Sequence, residues 1–263
     1  MKISLIIAYY KNIDALKIIL TALEKQSYKN YEVIIAEDDN DYKTIEFVKS
    51  IKSKFYFELI NLHQEFDNGF RKNEMLNKAI TKASGEIIVF LDGDSIPHKH
   101  FLLQYSMNIS KGIACFGRRV MLGEKLTNKI MQSRSLVNLK LTHILLSDSK
   151  RLKYGLYIPF IKSLRETGIW GCNWGILKQH LLEINGFDED YIKAGVGEDV
   201  DIEWRLKQNG IKLLSIRFGA IVYHLHHKVN YSGEDVKHNF NLFEKKKNGK
   251  HIYCVNGLIK NNH

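Results

Sequence analysis

The sequence predicts an α/β protein with a mixed, mostly parallel sheet flanked by helices. Three observations predict it. Over the first ~95 residues, short apolar runs alternate with stretches of helical periodicity, the order that builds parallel strands joined by helical crossovers. The apolar runs themselves do not alternate in polarity, as expected of strands buried on both faces. Polar and acidic side chains collect just after the first, second and fourth runs, at the carboxyl ends where open α/β sheets bind ligands.

Taken in order, Ile3 to Ala8 reads as the first strand, followed by Tyr9 and Tyr10. Leu16, Ile19, Leu20 and Leu23 fall at i, i+3, i+4 and i+7, one face of a helix. Val33 to Ala36 is the second strand and runs into Glu37-Asp38-Asp39-Asn40. Ile45, Val48 and Ile51 mark a second helix, and Phe55 to Leu62 a third strand. Met75, Leu76, Ala79, Ile80 and Ala83 give a third helix, closed by Ser84-Gly85. The fourth strand, Ile87 to Leu91, ends in Asp92-Gly93-Asp94. Two carboxylates on a glycine-hinged turn offer hard oxygen ligands to Mg²⁺ or Mn²⁺, and a cation there can neutralise a diphosphate. Taken alone, Asp-Gly-Asp is equally compatible with a solvated turn.

Beyond Pro97 the periodicity loosens. Phe101, Leu102 and Tyr105 suggest a helix, Ile113 to Phe116 a short strand, and Leu126 to Leu146 one long helical stretch. Lys150 to Arg165 is basic and punctuated by Gly155 and Pro159. It reads as a mobile loop, either a plain connection or a lid that closes over a diphosphate and excludes water. From Gly168 to Leu206, glycines, Trp170, Trp174 and acids occur together, a combination suited to a sugar: aromatic faces cover pyranose C–H surfaces and carboxylates accept hydroxyl hydrogens. Glu198 and Asp199 follow Gly195-Val196-Gly197 and should start a helix running to Asn209-Gly210. Acids in a first turn also stabilise the helix dipole by ~0.3–1 kcal/mol each, the plain explanation for them. Ala220 to Leu225 is a further strand leading into His224, His226 and His227, a metal-ligand set or a surface cluster. On a strand, His224 and His226 share a face and His227 points away. From Lys237 the tail is basic, helical and peripheral.

Bulk composition narrows the classes. The 263 residues are 44% hydrophobic and 26% charged, normal for a globular core, and only 2 are Pro. No apolar run approaches a membrane span, and Ile3 to Ala8 is too short for a signal peptide. Three Cys lie far apart without a CxxC pair, which suits a reducing compartment and excludes disulfides and structural zinc. The net charge of +10 favours anionic ligands, a diphosphate or an anionic membrane surface. No nucleic-acid-binding signature accompanies it, and neither GxGxxG nor a P-loop is present.

With these residues in view, the chain resembles the family 2 glycosyltransferases of the GT-A fold, a Rossmann-like architecture for nucleotide-diphospho-sugar transfer. It is most similar to the branch with a galactosyltransferase-like carboxyl-terminal region. The resemblance spans about residues 2 to 228 and rests on Asp92-Gly93-Asp94, on Gly69-Phe70-Arg71-Lys72 with Asn77, and most specifically on Asn185-Gly-Phe-Asp-Glu-Asp-Tyr191 followed by Gly197-Glu-Asp-x-Asp201-(x3)-Arg205-Leu206. It implies a nucleotide-binding half (1–97), a donor-sugar and acceptor half (98–228) and a basic extension (229–263). It implies donor contacts from Ala8, Tyr9, Tyr10, Asp38, Arg71, Asn77, Asp92, Gly93 and Asp94, and sugar or acceptor contacts from Trp170, Asn173, Trp174 and Glu198. Asp94 and His224 would ligate Mn²⁺ or Mg²⁺, with Asp92 close by and His227 as the fallback. Asp199 would be the general base of an inverting reaction, with Glu198 orienting hydroxyls.

The implied substrates are a UDP-sugar (galactose, an N-acetylhexosamine or glucose) and a saccharide or lipid-linked saccharide acceptor in bacterial surface polysaccharide synthesis. The implied location is cytoplasmic, or peripheral on the inner membrane face. Three departures stand out: Ala8 where the family has proline, Glu37-Asp38-Asp39-Asn40 where it has Asp-Asp-Gly-Ser, and Gly195-Val196-Gly197 where it has an aromatic centre. The second leaves open whether Asp38 or Asp39 reads the base. A nucleotidyltransferase would want a Gly-rich basic loop after the first strand, and Ala8-Tyr9-Tyr10-Lys11-Asn12 is not one. A non-catalytic basic binding protein gives no reason for acids at element ends.

Overall fold

The computed structural model describes residues 1–195, 197–228 and 231–260. Val196, the centre of the third departure, lies outside the described residues. The strands and helices run β1 (Ile3–Tyr9), α1 (Ile13–Glu24), β2 (Tyr31–Glu37), α2 (Tyr42–Ile51), β3 (Leu59–His63), α3 (Lys72–Lys82), β4 (Ile87–Asp92), β5 (Ser95–Pro97) and α4 (Phe101–Asn108). They continue with β6 (Ile113–Phe116), β7 (Arg118–Met121), α5 (Glu124–Ser133), α6 (Leu141–Leu145), β8 (Ser163–Arg165), β9 (Asn173–Leu177), α7 (Lys178–Glu183), α8 (Glu198–Gln208), β10 (Lys212–Ser215), β11 (Ile221–His224) and α9 (Gly233–Asn248).

The large sheet has the order β3-β2-β1-β4-β9-β6-β10-β8. β1 pairs in parallel with β2 and β4, which sets Ala8 level with Ala36 on one side and Asp92 on the other. β9 runs antiparallel between β4 and β6, and β8 is an antiparallel edge. The sheet is therefore mixed and mostly parallel in its first half, as expected. Both faces of β1 are buried: Leu5 and Ile7 share one core with Leu16, Ile19 and Leu23 of α1, while Ile6 joins Met75, Ala79 and Ile80 of α3 on the other. Asn12 caps α1 by accepting from the Ala15 amide, which fixes where that crossover begins. A smaller sheet, β5-β11-β7, sits beside the Asp92 end, with His224 of β11 opposite Ser95 of β5.

The elements expected around the first, second and fourth strands form where periodicity puts them, but four expectations change. The third strand begins at Leu59, because Phe55, Tyr56 and Phe57 instead build an aromatic cluster with Tyr31; the Phe55 and Phe57 rings stack at 4.8 Å. The long helix of Leu126 to Leu146 is broken. Arg134 ends α5 in the left-handed region (φ 50°), Ser135 is extended with its hydroxyl on the Val137 amide, and a 3-10 turn at Leu136–Leu139 precedes α6. The stretch from Lys150 to Arg165 is not structureless: it holds a 3-10 turn at Leu152–Gly155 and β8, and the Ile158 amide donates to the Phe218 carbonyl. The tail is tied down rather than peripheral. A capping box between Ser232 and Asp235 starts α9, Asn239 and Phe243 are buried, and Lys246 is paired with Asp188 and Asp190.

Candidate active site

The turn after β4 is shaped by close approach. The Gly93 amide donates to the Ala8 carbonyl at 2.7 Å, and a Cβ on Gly93 would stand 3.0 Å from that oxygen and 3.2 Å from the Tyr9 Cα. A side chain here would have to push β1 back by a few tenths of an ångström, so glycine suits the close turn. It delivers Asp94 to the end of β11, where the Leu225 amide donates to the Asp94 carbonyl at 2.9 Å. One Asp94 oxygen then lies 3.3 Å from His224 Nε2 and 3.0 Å from His227 Nε2, and the Ser95 hydroxyl donates to the other at 3.0 Å. Burial opposes ionisation of Asp94, but the two imidazoles hold its carboxyl well below the usual range. The same contact raises His227 to about 9.

These three groups fit a divalent cation. Their donor atoms lie within 4.8 Å of one another. The set combines one carboxylate with two imidazoles, a mixture that suits a transition-metal ion better than Mg²⁺. His227 Nδ1 is 2.8 Å from the Lys228 carbonyl, which fixes that nitrogen as the donor and leaves Nε2 free as a ligand facing Asp94. His224 Nδ1 is buried without a hydrogen-bond partner among the described residues. Both histidines converge because β11 ends at His224 and the chain then departs from strand geometry; His226 and His227 are both exposed, and His227 alone of the two reaches Asp94. Strand alternation would turn His227 away from His224; the turn after β11 instead brings the two rings to 5.0 Å.

A second group of charges lies beside the first. Lys72, the first residue of α3, sits 3.4 Å from Asp92 and 3.6 Å from Glu198. Burial works against its charge, yet Asp92, Glu198 and Asp199 together hold the ammonium above its usual value. Burial, reinforced by Asp199, pushes the Glu198 carboxyl up to about 7, and Glu198 Oε2 has no hydrogen-bond partner among the described residues. Asp199 is also raised by burial, and its Oδ2 accepts the Gly171 amide at 2.9 Å. Lys72, Glu198 and Asp199 line one small cleft with Ala8, Gly171 and Trp174. Gly197 permits this helix start: its φ of 146° suits glycine, and a Cβ would stand 2.6 Å from Asn239 Cβ.

At the far edge, past β1 and β2, Asp38 accepts the Arg71 amide at 3.0 Å and Gln64 Nε2 at 2.8 Å, and burial raises it to about 7. Glu37 and Asp39 are buried together; burial raises both, Glu37 to about 8. Lys11 Nζ approaches Asp39 at 3.8 Å and lies 4.7 Å over the exposed ring of Tyr10.

With the geometry in place, comparison with known proteins decides the family. The sequence pattern of glycosyl transferase family 2 matches residues 4–182, more than half of the chain. The chain belongs to glycosyl transferase family 2. A second pattern, the N-terminal domain of galactosyltransferase, matches residues 159–228. No curated protein matches the chain. Among solved structures, TarS of S. aureus is 18% identical over 94% of this chain and 39% of that one, with a TM-score of 0.57. GalNAc-T7 with UDP, GalNAc and Mn²⁺ is 16% identical over 93% and 48%, with a TM-score of 0.65. The mannosyltransferase PcManGT of Pyrobaculum calidifontis with GDP-Man and Mn²⁺ is 16% identical over 95% and 62%, with a TM-score of 0.59. The chain thus spans 39% to 62% of the length of these three structures. At such identities the likeness bears on fold alone, and the fold is GT-A, as expected.

Within this family 2 domain, the residues expected at the site divide into two sets. Ala8, Asp92, Gly93, Asp94, Glu198, Asp199, His224 and His227 converge on the cleft and its cation cluster. Asn77 does not: its side chain is committed to the Phe187 amide (2.9 Å) and carbonyl (2.8 Å). Asn173 does not either, since its amide donates to the Arg118 and Ala220 carbonyls and accepts the Tyr105 hydroxyl, stitching the two sheets together. Trp174 is a core residue stacked on Phe90 at 4.6 Å, with one edge reaching the cleft. Tyr9 is buried with its hydroxyl 3.2 Å from Thr44, and the Arg71 guanidinium folds back onto the Phe70 carbonyl. Trp170 stays partly exposed beneath Arg118, Arg119 and Arg151, at 4.4 to 5.5 Å from its ring. Sequence reasoning missed Lys72 and this arginine trio. Lys72 stood inside the quoted Gly-Phe-Arg-Lys run, and its place opening a helix after that loop was the signal for it.

Proposed function

We propose that the protein is a cation-dependent, inverting transferase that moves a hexose or N-acetylhexosamine from a UDP-sugar to a saccharide acceptor, as in bacterial surface polysaccharide synthesis. The observation that carries this reading is the convergence of Asp94, His224 and His227 on one point, next to the cleft of Lys72, Glu198 and Asp199. Asp94, His224 and His227 would hold Mn²⁺ or Mg²⁺, with Asp92 nearby; when bound, the cation supplies positive charge to the leaving diphosphate. Complexes with UDP or GDP-Man and Mn²⁺ among the structural neighbours support this assignment.

The chain's own groups do the rest. Tyr10 offers an exposed ring face for the base, and Asp38 or Asp39, at the end of β2, a buried carboxyl to read it. Lys72 holds the acids at the cleft floor. Asp199, oriented by the Gly171 amide, takes the acceptor hydroxyl's proton as the anomeric carbon is attacked from the face opposite the diphosphate. Glu198 orients a sugar hydroxyl with Oε2, which has no partner among the described residues. One observation favours exchanging those two roles: Glu198, at about 7, is well matched to a base working near neutrality.

The test is a panel of UDP-sugars with and without Mn²⁺, read by thermal shift, by donor hydrolysis and by NMR of the product's anomeric configuration. A cation-dependent UDP response and an inverted product are expected. A metal-indifferent response would remove the cation assignment, and a retained configuration would remove the general base.

A further inference from the structure

We propose that a face of the protein behind the cation cluster docks onto an anionic lipid bilayer. Among the described residues, nine of the 22 exposed large apolar side chains fall within residues 134–165. The same stretch carries seven Lys and Arg against a single acid, Asp148. Exposed apolar groups mixed with positive charge are what a segment lying in a bilayer interface requires: the apolar groups enter the acyl boundary and the cations meet lipid phosphates. An ordinary surface scatters its exposed apolar residues singly.

The parts form one surface. Ile144 anchors the short helix α6, leaving Leu145 52% and Leu146 88% exposed, with Lys140 at its start. Lys140, Lys25 and Lys99 line a cavity of about 220 Å³ floored by Leu136, Leu139 and Tyr223. A Cβ on Gly155 would lie 3.8 Å from Leu141, so the turn carrying Leu156 and Tyr157 adjoins α6. The Tyr157 ring in turn packs 5.0 Å from His98 and 5.1 Å from His100, on either side of Lys99. Tyr223 faces this cavity while its neighbour His224 faces Asp94, as alternation along β11 demands. The docking face and the cation cluster are therefore back to back across one strand.

Charge decides the occupant. A second copy of the chain would bring these lysines against their own counterparts across a two-fold interface, which repels. A bilayer containing anionic lipid attracts them. The inference is independent of sugar transfer, so failure of one leaves the other standing.

The experiment is sedimentation of the full chain with vesicles of phosphatidylcholine alone and of phosphatidylcholine mixed with phosphatidylglycerol. Wild type should sediment with the mixed vesicles and be released by high salt. Lys25→Gln with Lys99→Gln and Lys140→Gln should lower partitioning roughly a hundredfold. Leu145→Ser with Leu146→Ser should also reduce it, and the thermal melt of both variants serves as the fold control. No binding by wild type, equal binding to both vesicle types, or unchanged binding by either folded variant would overturn the proposal. A dimer in analytical ultracentrifugation that Leu145→Ser with Leu146→Ser dissolves would overturn it in favour of self-association.

Discussion

Asp94, in the cation cluster, and Glu198, in the lining of the neighbouring cleft, are treated in opposite ways. Asp94 lies between two imidazoles that keep it ionised despite burial. Glu198 is more deeply buried, has another acid beside it, and shares one lysine with Asp92 and Asp199. Its carboxyl therefore sits near neutrality while that of Asp94 stays charged. The first arrangement suits a fixed ligand for a cation. The second suits a place where a proton is taken up and released. The difference follows from which partners each strand or helix end can reach, since both residues are carboxylic acids with similar intrinsic affinities for a proton.

The largest effect should come from the cation cluster. Asp94→Ala removes the carboxylate shared by His224 and His227, and Mn²⁺-dependent UDP binding should vanish in calorimetry. Normal binding by this variant would end the contrast. His224→Ala and His227→Ala, compared side by side, should each weaken Mn²⁺ affinity if both ligate.

In the neighbouring cleft, Asp199→Asn should leave the fold and UDP affinity intact and slow transfer by ~10²–10⁴-fold, the usual contribution of a positioned base. Plain helix capping predicts a small stability loss and no rate loss. If Glu198→Gln shows the larger rate loss instead, the two acids exchange roles and the comparison becomes sharper still.

A smaller effect separates support from chemistry. Asn77→Ala leaves the Phe187 backbone groups without their buried partner and should cost about 1–3 kcal/mol in denaturant unfolding. Metal dependence of UDP binding should not change, because nothing at Asp94 is touched. A changed metal requirement would mean that the cluster and the cleft are coupled through α3.

The smallest effect is a drift with pH. Glu198 and Asp38, at about 7, and Glu37, at about 8, all have folded values above their unfolded ones. The folded state thus binds more protons than the unfolded state across this range. Their contribution to stability is complete below about pH 4 and is lost as pH rises through about 7 to 8. His227, raised to about 9, acts in the same direction at higher pH. The melting temperature of the ligand-free protein should fall steadily from about pH 5 to pH 8. A rise over that interval would show that these acids are ionised in the fold and that the contrast with Asp94 is false.

The parallel half of the fold was legible because β1, β2 and β4 each centre on a buried apolar run (Leu5–Ile7, Val33–Ala36 and Ile87–Leu91) and the helices between them keep a 3.6-residue period. What failed was local competition. Phe55 and Phe57 could extend a strand or stack on each other, and stacking prevailed. The break at Arg134 carries no glycine or proline to announce it. At the candidate site, the gathering of Asp92, Asp94 and His224 at neighbouring strand ends could be anticipated, because apolar strands mark where their polar carboxyl ends must emerge. Asn77 and Asn173 misled for the opposite reason: an amide serves a ligand and a buried backbone group equally well, and only three-dimensional neighbours distinguish the two. The Gly-Glu-Asp-x-Asp-(x3)-Arg motif is itself half structural. Arg205 is buried, bonded to Asp201 at 2.7 Å and to the Ile184 and Gly186 carbonyls, so it holds the preceding turn in place.

The placement of β9 has a consequence for synthesis of the protein. The inner edge of β4 is closed by β9, which pairs with it from Ile87↔Leu177 to Leu91↔Asn173. On the ribosome, β1, β2 and β4 can assemble with their helices once the first hundred or so residues have emerged. The edge of β4 must then wait for β9, about 80 residues later, which at ~5–20 residues per second is a delay of roughly 4–16 seconds. During that interval the nascent chain presents the apolar run from Ile87 to Leu91 as an open strand edge, the template on which unrelated chains pair and aggregate. Slowing translation between codons 92 and 173 should therefore lower the soluble yield of this protein, while the same slowing after codon 177 should leave it unchanged.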